Sequence, residues 1–234
     1  MGNFDQKVNK FIEIFVEQNG YAKVIQGLQN TLLIAVTGLI IGIIVGTLIA
    51  TVRVLPKYKT LPKVLNGICS FYVALFRGTP MVVQLLVFYY VLFPIIGLKI
   101  TGVQVAMLVF GLNSGAYISE IMRSGIQSVD SGQMEAARSL GLPYSRAMIR
   151  VVLPQAIRTM IPSIINQFII TLKDTSILSV IGFPELVNTA KNVVANSFMS
   201  FQTWGIVAVM YLIVITILSK VAKIVERRLN RGRK

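Results

Sequence analysis

Apolar positions along the chain gather into five long runs, at about residues 28–52, 66–96, 102–122, 151–172 and 204–221, separated by shorter polar segments. At about 1.5 Å rise per residue, runs of this length match a hydrocarbon core of about 30 Å. The pattern therefore predicts an all-α, polytopic membrane protein with five transmembrane helices. Ahead of the first run, Phe4, Val8, Phe11, Ile12, Phe15 and Val16 recur at helical spacing among polar residues, which predicts a short amphipathic helix on the membrane surface. Gly20 is expected to end it.

Within the runs, small and polar residues add detail. Gly38, Gly42, Gly46 and Ala50 fall on every fourth position of the first span, a stripe on which another helix can approach closely. Arg77-Gly78-Thr79-Pro80 lies inside the second span. An Arg at mid-bilayer costs about 2.5–3.5 kcal/mol, so Arg77 is expected near the basic side, snorkelling, or facing protein and water. Gly78 and Pro80 predict a kink or break there. The connector 175–202 is too long for a simple turn, and Pro184-Glu185 predicts a helix that starts there and ends near Asn196. Trp204 is placed as an interfacial anchor at the outer edge of the fifth span.

Composition agrees with this class: 54% of the 234 residues are hydrophobic and 14% charged, with a mean hydropathy of +0.71. The net charge of +14 could suggest nucleic acid, but the positions of the basic residues give it another meaning. Sixteen of the 23 Lys and Arg cluster in the turn 53–63, the segment 123–158 and the tail from Lys220 onward, all on one side of a five-span chain. That side is predicted to be cytoplasmic, with the N-terminus outside and the C-terminus inside, which leaves no nucleic-acid role for the charge. No cleavable signal peptide is evident, so the first span is expected to act as its own insertion signal. Three parts follow: an extracytoplasmic amphipathic segment 1–26, a membrane domain 27–225 and a basic cytoplasmic tail 226–234. Cys69 is the lone cysteine and there is no His, so no disulfide, metal cluster or nucleophile motif is foreseen and the chain reads as no enzyme.

The segment between the third and fourth spans carries the sharpest local signal. Asp130, Ser131 or Gly132 can cap a helix with Glu135 in its first turn, and Gly141 followed by Pro143 can stop it. Met134, Ala137 and Leu140 would form its apolar face. Two readings stand side by side: a surface helix that merely links two spans, or one presented to a cytosolic partner.

A resemblance bears on that choice. Glu135-Ala136-Ala137, Gly141, Val151 and Leu153-Pro154, in this spacing, resemble the EAA signature of ATP-binding-cassette importer permeases, with Val151 in place of the usual Ile. Leu75–Pro80, Gly111–Tyr117, Arg123–Ile126, Leu172–Ser176 and Pro184–Leu186 resemble the polar amino-acid branch of that family, and the likeness spans roughly residues 25–225. The resemblance implies a type I ABC importer permease fold, with 131–142 as a short cytoplasmic coupling helix in which Glu135, Ala136, Ala137, Arg138, Gly141 and Leu142 meet a cytosolic ABC ATPase dimer. It also implies a second permease copy or a paralogue, an extracytoplasmic substrate-binding protein, an amino-acid substrate, and a bacterial inner-membrane location. The chain has no phosphate-binding loop, so no cofactor is expected in it and ATP and Mg would sit on the partner ATPase.

Gln84, Asn113, Ser114, Tyr117, Ser163, Asn166 and Gln167 fall near mid-membrane depth if span directions alternate. Facing lipid would be costly, so they should point inward, either as interhelical hydrogen bonds or as the lining of a substrate pathway. With the resemblance, they are candidates for recognising the zwitterionic head or polar side chain of an amino acid. Glu120 and Arg123, three residues apart, are expected to pair. The runner-up class is a self-powered secondary transporter or channel, which would call for inverted repeats or embedded acids that the sequence does not display.

Overall fold

Helix α1 (Gly2–Ile12) runs through a π-helical turn (Glu13–Glu17) to Asn19, whose left-handed backbone (φ 55°) turns the chain into α2 (Gly20–Val54). This computed structural model describes residues 2–17, 19–55 and 60–231. Pro56, Lys57 and Lys59 of the basic turn, Arg233 and Lys234 of the tail, and the side chains of Phe4, Phe11 and Arg231 lie outside it. At 35 residues, α2 starts earlier than its apolar run predicts. Tertiary packing accounts for the extra turns: Gly20, Val24 and Gly27 are buried, and a methyl group added at Gly27 would sit 2.8 Å from Thr189 Oγ1 and 3.0 Å from Leu186 Cα.

The second apolar run becomes two helices, α3 (Thr60–Gly78) and α4 (Met81–Ile95), meeting at a bend of 109°. Pro80 cannot continue the helix, and its backbone is extended (φ −63°, ψ 139°). Helix α5 (Gly102–Gln127) opens on a reciprocal capping box: Thr101 Oγ1 accepts from Gln104 N, and Gln104 Oε1 accepts from Thr101 N at 2.9 Å. Helix α6 (Ser131–Ser139) fills the polar connector. Then α7 (Tyr144–Ile181) carries a π-helical turn at Met148–Val152, a regular stretch Leu153–Asp174 and a 3-10 end, and α8 (Leu186–Ser197) and α9 (Ser200–Arg231) complete the chain. Among the described residues, helices α2, α5, α7 and α9 are long and apolar enough to cross a membrane alone, and the bent α3–α4 pair brings the number to five where it counts as one broken span. Because α9 runs unbroken to Arg231, the basic tail is largely a continuation of the last span.

The small-residue stripe forms the central seam. A methyl added at Gly42 would lie 2.7 Å from Ser114 Cβ, and one at Gly46 would lie 2.8 Å from Ile118 Cγ2, so α2 and α5 touch backbone to side chain with no room for a Cβ. The contact is mutual: Gly111 receives Ile41 and Gly115 receives Val45. One buried cluster, including Ile34, Leu85, Val109, Phe110 and Leu178, ties α2, α4, α5 and the end of α7 together. A second, including Val24, Leu186, Ala190 and Val207 with Phe15 against it, seats α8 beside α2 and α9. Helices α3 and α9 are mostly bare, with Phe71, Leu61, Leu212 and Ile217 exposed, a surface suited to lipid or another membrane chain.

Candidate functional site

Asp130 is the residue that caps α6, its Oδ1 accepting from Gly132 N at 2.7 Å. The helix therefore begins at Ser131, which puts Glu135 in its second turn rather than the first, where the positive end of the helix dipole acts less on it. The C-terminal end matches expectation more closely. Leu142 N donates to Ala137 O at 3.2 Å and Gly141 N to Arg138 O at 3.0 Å, a Schellman closure around Gly141 at φ +82°. Ala137 is buried and Met134 half-buried, but Leu140 is 85% exposed and so is not part of an inward apolar face. The reason is positional: Leu140 caps the helix just as the chain turns. Glu135, Ala136, Arg138 and Gly141 are exposed and Leu142 half-buried. One side-chain bond holds α6 to a span, Gln155 Nε2 on α7 donating to Gln133 Oε1 at 3.1 Å, while Arg138 Nη1 donates to Leu142 O at 3.2 Å in the turn that follows the helix.

The polar residues predicted at mid-depth separate into three groups. Gln84 is spent on the break between α3 and α4: its amide donates to Phe76 O (2.8 Å), Thr79 O (3.0 Å) and Thr79 Oγ1 (2.9 Å), replacing partners that the interrupted helix has lost. Asn113 on α5 donates to Gln84 Oε1 at 3.0 Å, locking the break to the neighbouring span. Beside them the exposed Arg77 holds its guanidinium 5.3 Å from the centre of the Tyr117 ring. In the second group, Ser114 Oγ and Thr171 Oγ1 lie 3.2 Å apart and Gln167 Nε2 donates to Thr171 Oγ1 at 3.5 Å, all three residues buried. The third group, Ser163 and Asn166, is exposed on α7.

Sequence reasoning missed Thr79, Thr171, Gln133 and Gln155, whose partners are distant in sequence or on the backbone. It also missed Arg53 as a second partner of Glu120. Arg123 donates to Glu120 Oε2 through Nη2 at 2.7 Å and Nε at 3.0 Å, while Arg53 Nη1 bonds the other oxygen. One half-buried carboxylate thus joins the ends of α2 and α5 on the side that carries α6.

The profile of the binding-protein-dependent transport system inner membrane components matches residues 38–232. The chain is 37% identical to the arginine transport system permease protein ArtQ of Bacillus subtilis over 207 residues, covering 88% of this chain and 92% of that protein. It is 36% identical, with the same coverage, to the glutamine transport system permease protein GlnP of Escherichia coli, and 35% identical to a putative glutamine permease of Rickettsia typhi. A chain from the crystal structure of an amino acid ABC transporter with histidines superposes with a TM-score of 0.83 at 36% identity, over 92% of this chain and 98% of that one. An inward-facing MetNI methionine ABC transporter superposes with a TM-score of 0.74 at 17% identity, which speaks for the fold alone. Membership of such a family implies a binding protein and an ATPase as partners and sets aside the self-powered carrier. The chain belongs to the binding-protein-dependent transport system inner membrane components: it is a multi-pass permease subunit of an ABC importer, with a type I permease fold, and not itself an enzyme.

Proposed function

We propose that this permease carries polar amino acids inward, paired with a second copy or a paralogue, and takes its driving force through α6 from a cytosolic ATPase that holds the ATP and Mg. The observation that carries the reading is the geometry of α6. It is a short helix capped at both ends, exposed at Glu135, Ala136 and Arg138, and tied to α7 through Gln133 and Gln155, so a push on it reaches a span directly. In this orientation 1–26 lies outside with α8, where an extracytoplasmic binding protein would dock, and the basic end of α9 lies in the cytosol of a bacterium, beneath its inner membrane. Glu135, Ala136, Ala137, Arg138, Gly141 and Leu142 form the ATPase contact.

For the pathway, Asn113 and Tyr117 with the neighbouring Arg77 offer an amide, a ring edge and a cation to a zwitterion, and Ser163 and Asn166 supply a further polar wall on α7. Gln84, Ser114 and Gln167 act behind that surface, Gln84 by holding the break and the other two by joining α5 to α7. Arg77 places a cation beside the cluster, which also suits an acidic side chain. The relatives named for glutamine and arginine transport support an amino-acid cargo.

Co-expression with the ATPase and binding protein tests the reading. Glu135→Arg is expected to leave membrane insertion intact, to reduce ATPase capture on the detergent-solubilised permease, and to abolish ATP-driven uptake of glutamine or arginine. Normal uptake by that variant removes the coupling role.

A further inference from the structure

We propose that the end of α2 and the start of α7 form a binding groove for an anionic phospholipid, which lays an acyl chain between the two helices and rests its phosphate on Arg146 and Arg150. The inference goes beyond the transport reading and takes from it only the orientation that puts these helix ends at the cytosolic leaflet.

The last turn of α2 and the first turns of α7 leave a gap between them. It is a groove of about 310 Å³, walled by Val54 and Leu55 of α2 and by Met148, Ile149 and Leu153 of α7, with Ser145 at the outer end. Leu55 and Ile149 are 46% and 62% exposed, so the chain's own packing leaves the groove open. Met148 and Ile149 sit on the π-helical turn of α7, an irregularity found frequently at functional sites. At about 1.5 Å rise per residue, Leu153 lies about 12 Å farther along the helix than Ser145, so the groove runs from the membrane surface toward the hydrocarbon.

Charge names the occupant. Arg146 and Arg150 each follow a wall residue, Ser145 and Ile149, and their spacing of four makes one basic stripe beside the groove. Both are exposed, and neither guanidinium has a hydrogen bond or ion pair among the described residues. The acids near this end serve elsewhere: Glu120 pairs with Arg53 and Arg123, Asp130 caps α6, and Glu135 is exposed on α6. An apolar slot with two uncommitted guanidiniums at its rim matches a molecule with a greasy tail and a phosphate head, which an arginine fork binds well. Each basic residue at the cytosolic leaflet favours anionic lipid by roughly fivefold. A second copy of this chain fits less well: packed alongside, it would bring its own cytosolic end to the same depth, on the side that carries 16 of the 23 Lys and Arg. An ATPase would meet the guanidiniums and leave the slot empty.

Photoaffinity labelling reads the groove. The importer, assembled with its ATPase and binding protein, is placed in nanodiscs of phosphatidylcholine doped with a small, equal share of either phosphatidylglycerol or phosphatidylcholine bearing a diazirine on one acyl chain, and adducts are located by peptide mass spectrometry. Both leaflets of a nanodisc carry the same lipid, so the result does not depend on orientation. Adducts on 144–153 are expected to be more than about threefold more abundant with the phosphatidylglycerol probe, and to fall saturably with unlabelled phosphatidylglycerol but not with inorganic phosphate. Around Ile68 and Phe71, on the exposed apolar side of α3, the two probes should label alike. Arg146→Gln with Arg150→Gln should remove the excess and leave ATPase capture unchanged, whereas Arg146→Lys with Arg150→Lys should keep most of it. Ile149→Trp, which fills the slot without touching either guanidinium, should lower the adducts from both probes. Equal labelling of 144–153 by the two probes, an excess that survives the glutamine pair, or a loss that inorganic phosphate reproduces overturns the lipid site. Two further results overturn it as well: no adduct at 144–153 while α3 is labelled, which shows the groove covered by protein, and a glutamine pair that keeps the excess but releases the ATPase, which assigns the two arginines to that partner. The importer function stands in each of these cases, because uptake by the parent protein tests it separately.

Discussion

Glu185 shows how one side chain can set the stability of the whole segment around α8. It is fully buried, and its carboxylate accepts from Val187 N at 2.8 Å and Asn188 N at 2.6 Å, capping α8. Burial pushes its pKa up to about 7, against the pull of those two amides and of Lys191. A carboxyl raised above its ordinary value stabilises the fold fully below that ordinary value, and the contribution is lost as pH rises through about 7. Amide exchange at Val187 and Asn188, corrected for intrinsic rates, should therefore be slower at pH 5.5 than at pH 8, and Glu185→Gln should remove the difference. The glycine seam makes a second residue-scale prediction. Gly46→Val drives its new side chain into Ile118, an overpacking that costs about 1–3 kcal/mol, whereas Gly67, with nothing within 4 Å of an added methyl, should accept Ala. Thermal unfolding of the two variants in detergent separates them. The seam was legible because a four-residue repeat of small side chains has few other uses in a membrane helix; the buried state of Glu185 was not, because it depends on Thr31 and Asn30 of α2, which bond Leu186 N and Pro184 O from more than 150 residues away.

At the scale of elements, boundaries were readable where the chain's own chemistry sets them and unreadable where a neighbour does. Asp130 and Gly141 delimit α6 by local hydrogen bonds, and both stood in the sequence as cap and stop. Gly78 and Pro80 announced a break, but not one of 109°, since that angle is held by Gln84 and Asn113 reaching back to Phe76 and Thr79. Leu140 misled because an apolar residue at a helix end can point either way once the chain turns. Gly141→Val bears on the same helix: a β-branched residue at φ +82° is strained by about 1–2 kcal/mol or more, so the Schellman closure should open and ATP-driven uptake fall while insertion persists. Gln133→Ala should raise the ATP hydrolysed per amino acid moved, because α6 would move without drawing α7 along; an unchanged ratio would show that the 3.1 Å bond transmits nothing.

The whole molecule has one close-packed seam and three faces that its own chain leaves uncovered. Helices α2 and α5 are locked by glycine contacts and by the Arg53–Glu120–Arg123 cluster, whereas α3 and α9 are bare and the polar side of α7 is uncovered. A machine that alternates between two openings should move at the uncovered surfaces and keep the seam. Swinging such an equilibrium from 1:99 to 99:1 needs about 5.5 kcal/mol of differential binding, more than interhelical hydrogen bonds of about 0.6 kcal/mol each supply without many acting together. On the proposed coupling role of α6, nucleotide-driven closure of the ATPase upon that helix would provide it. Asn166 lies two turns deeper along α7 than Thr159 on the same face, so its accessibility should report the swing: with ATP trapped on the assembly, Asn166→Cys should react with an impermeant reagent from the outer side, and without nucleotide from the cytosolic side. Glu120→Gln is the companion measurement. It weakens the rigid seam and should lower thermal stability while leaving that reversal of access in place, because the seam bounds the motion and does not carry it.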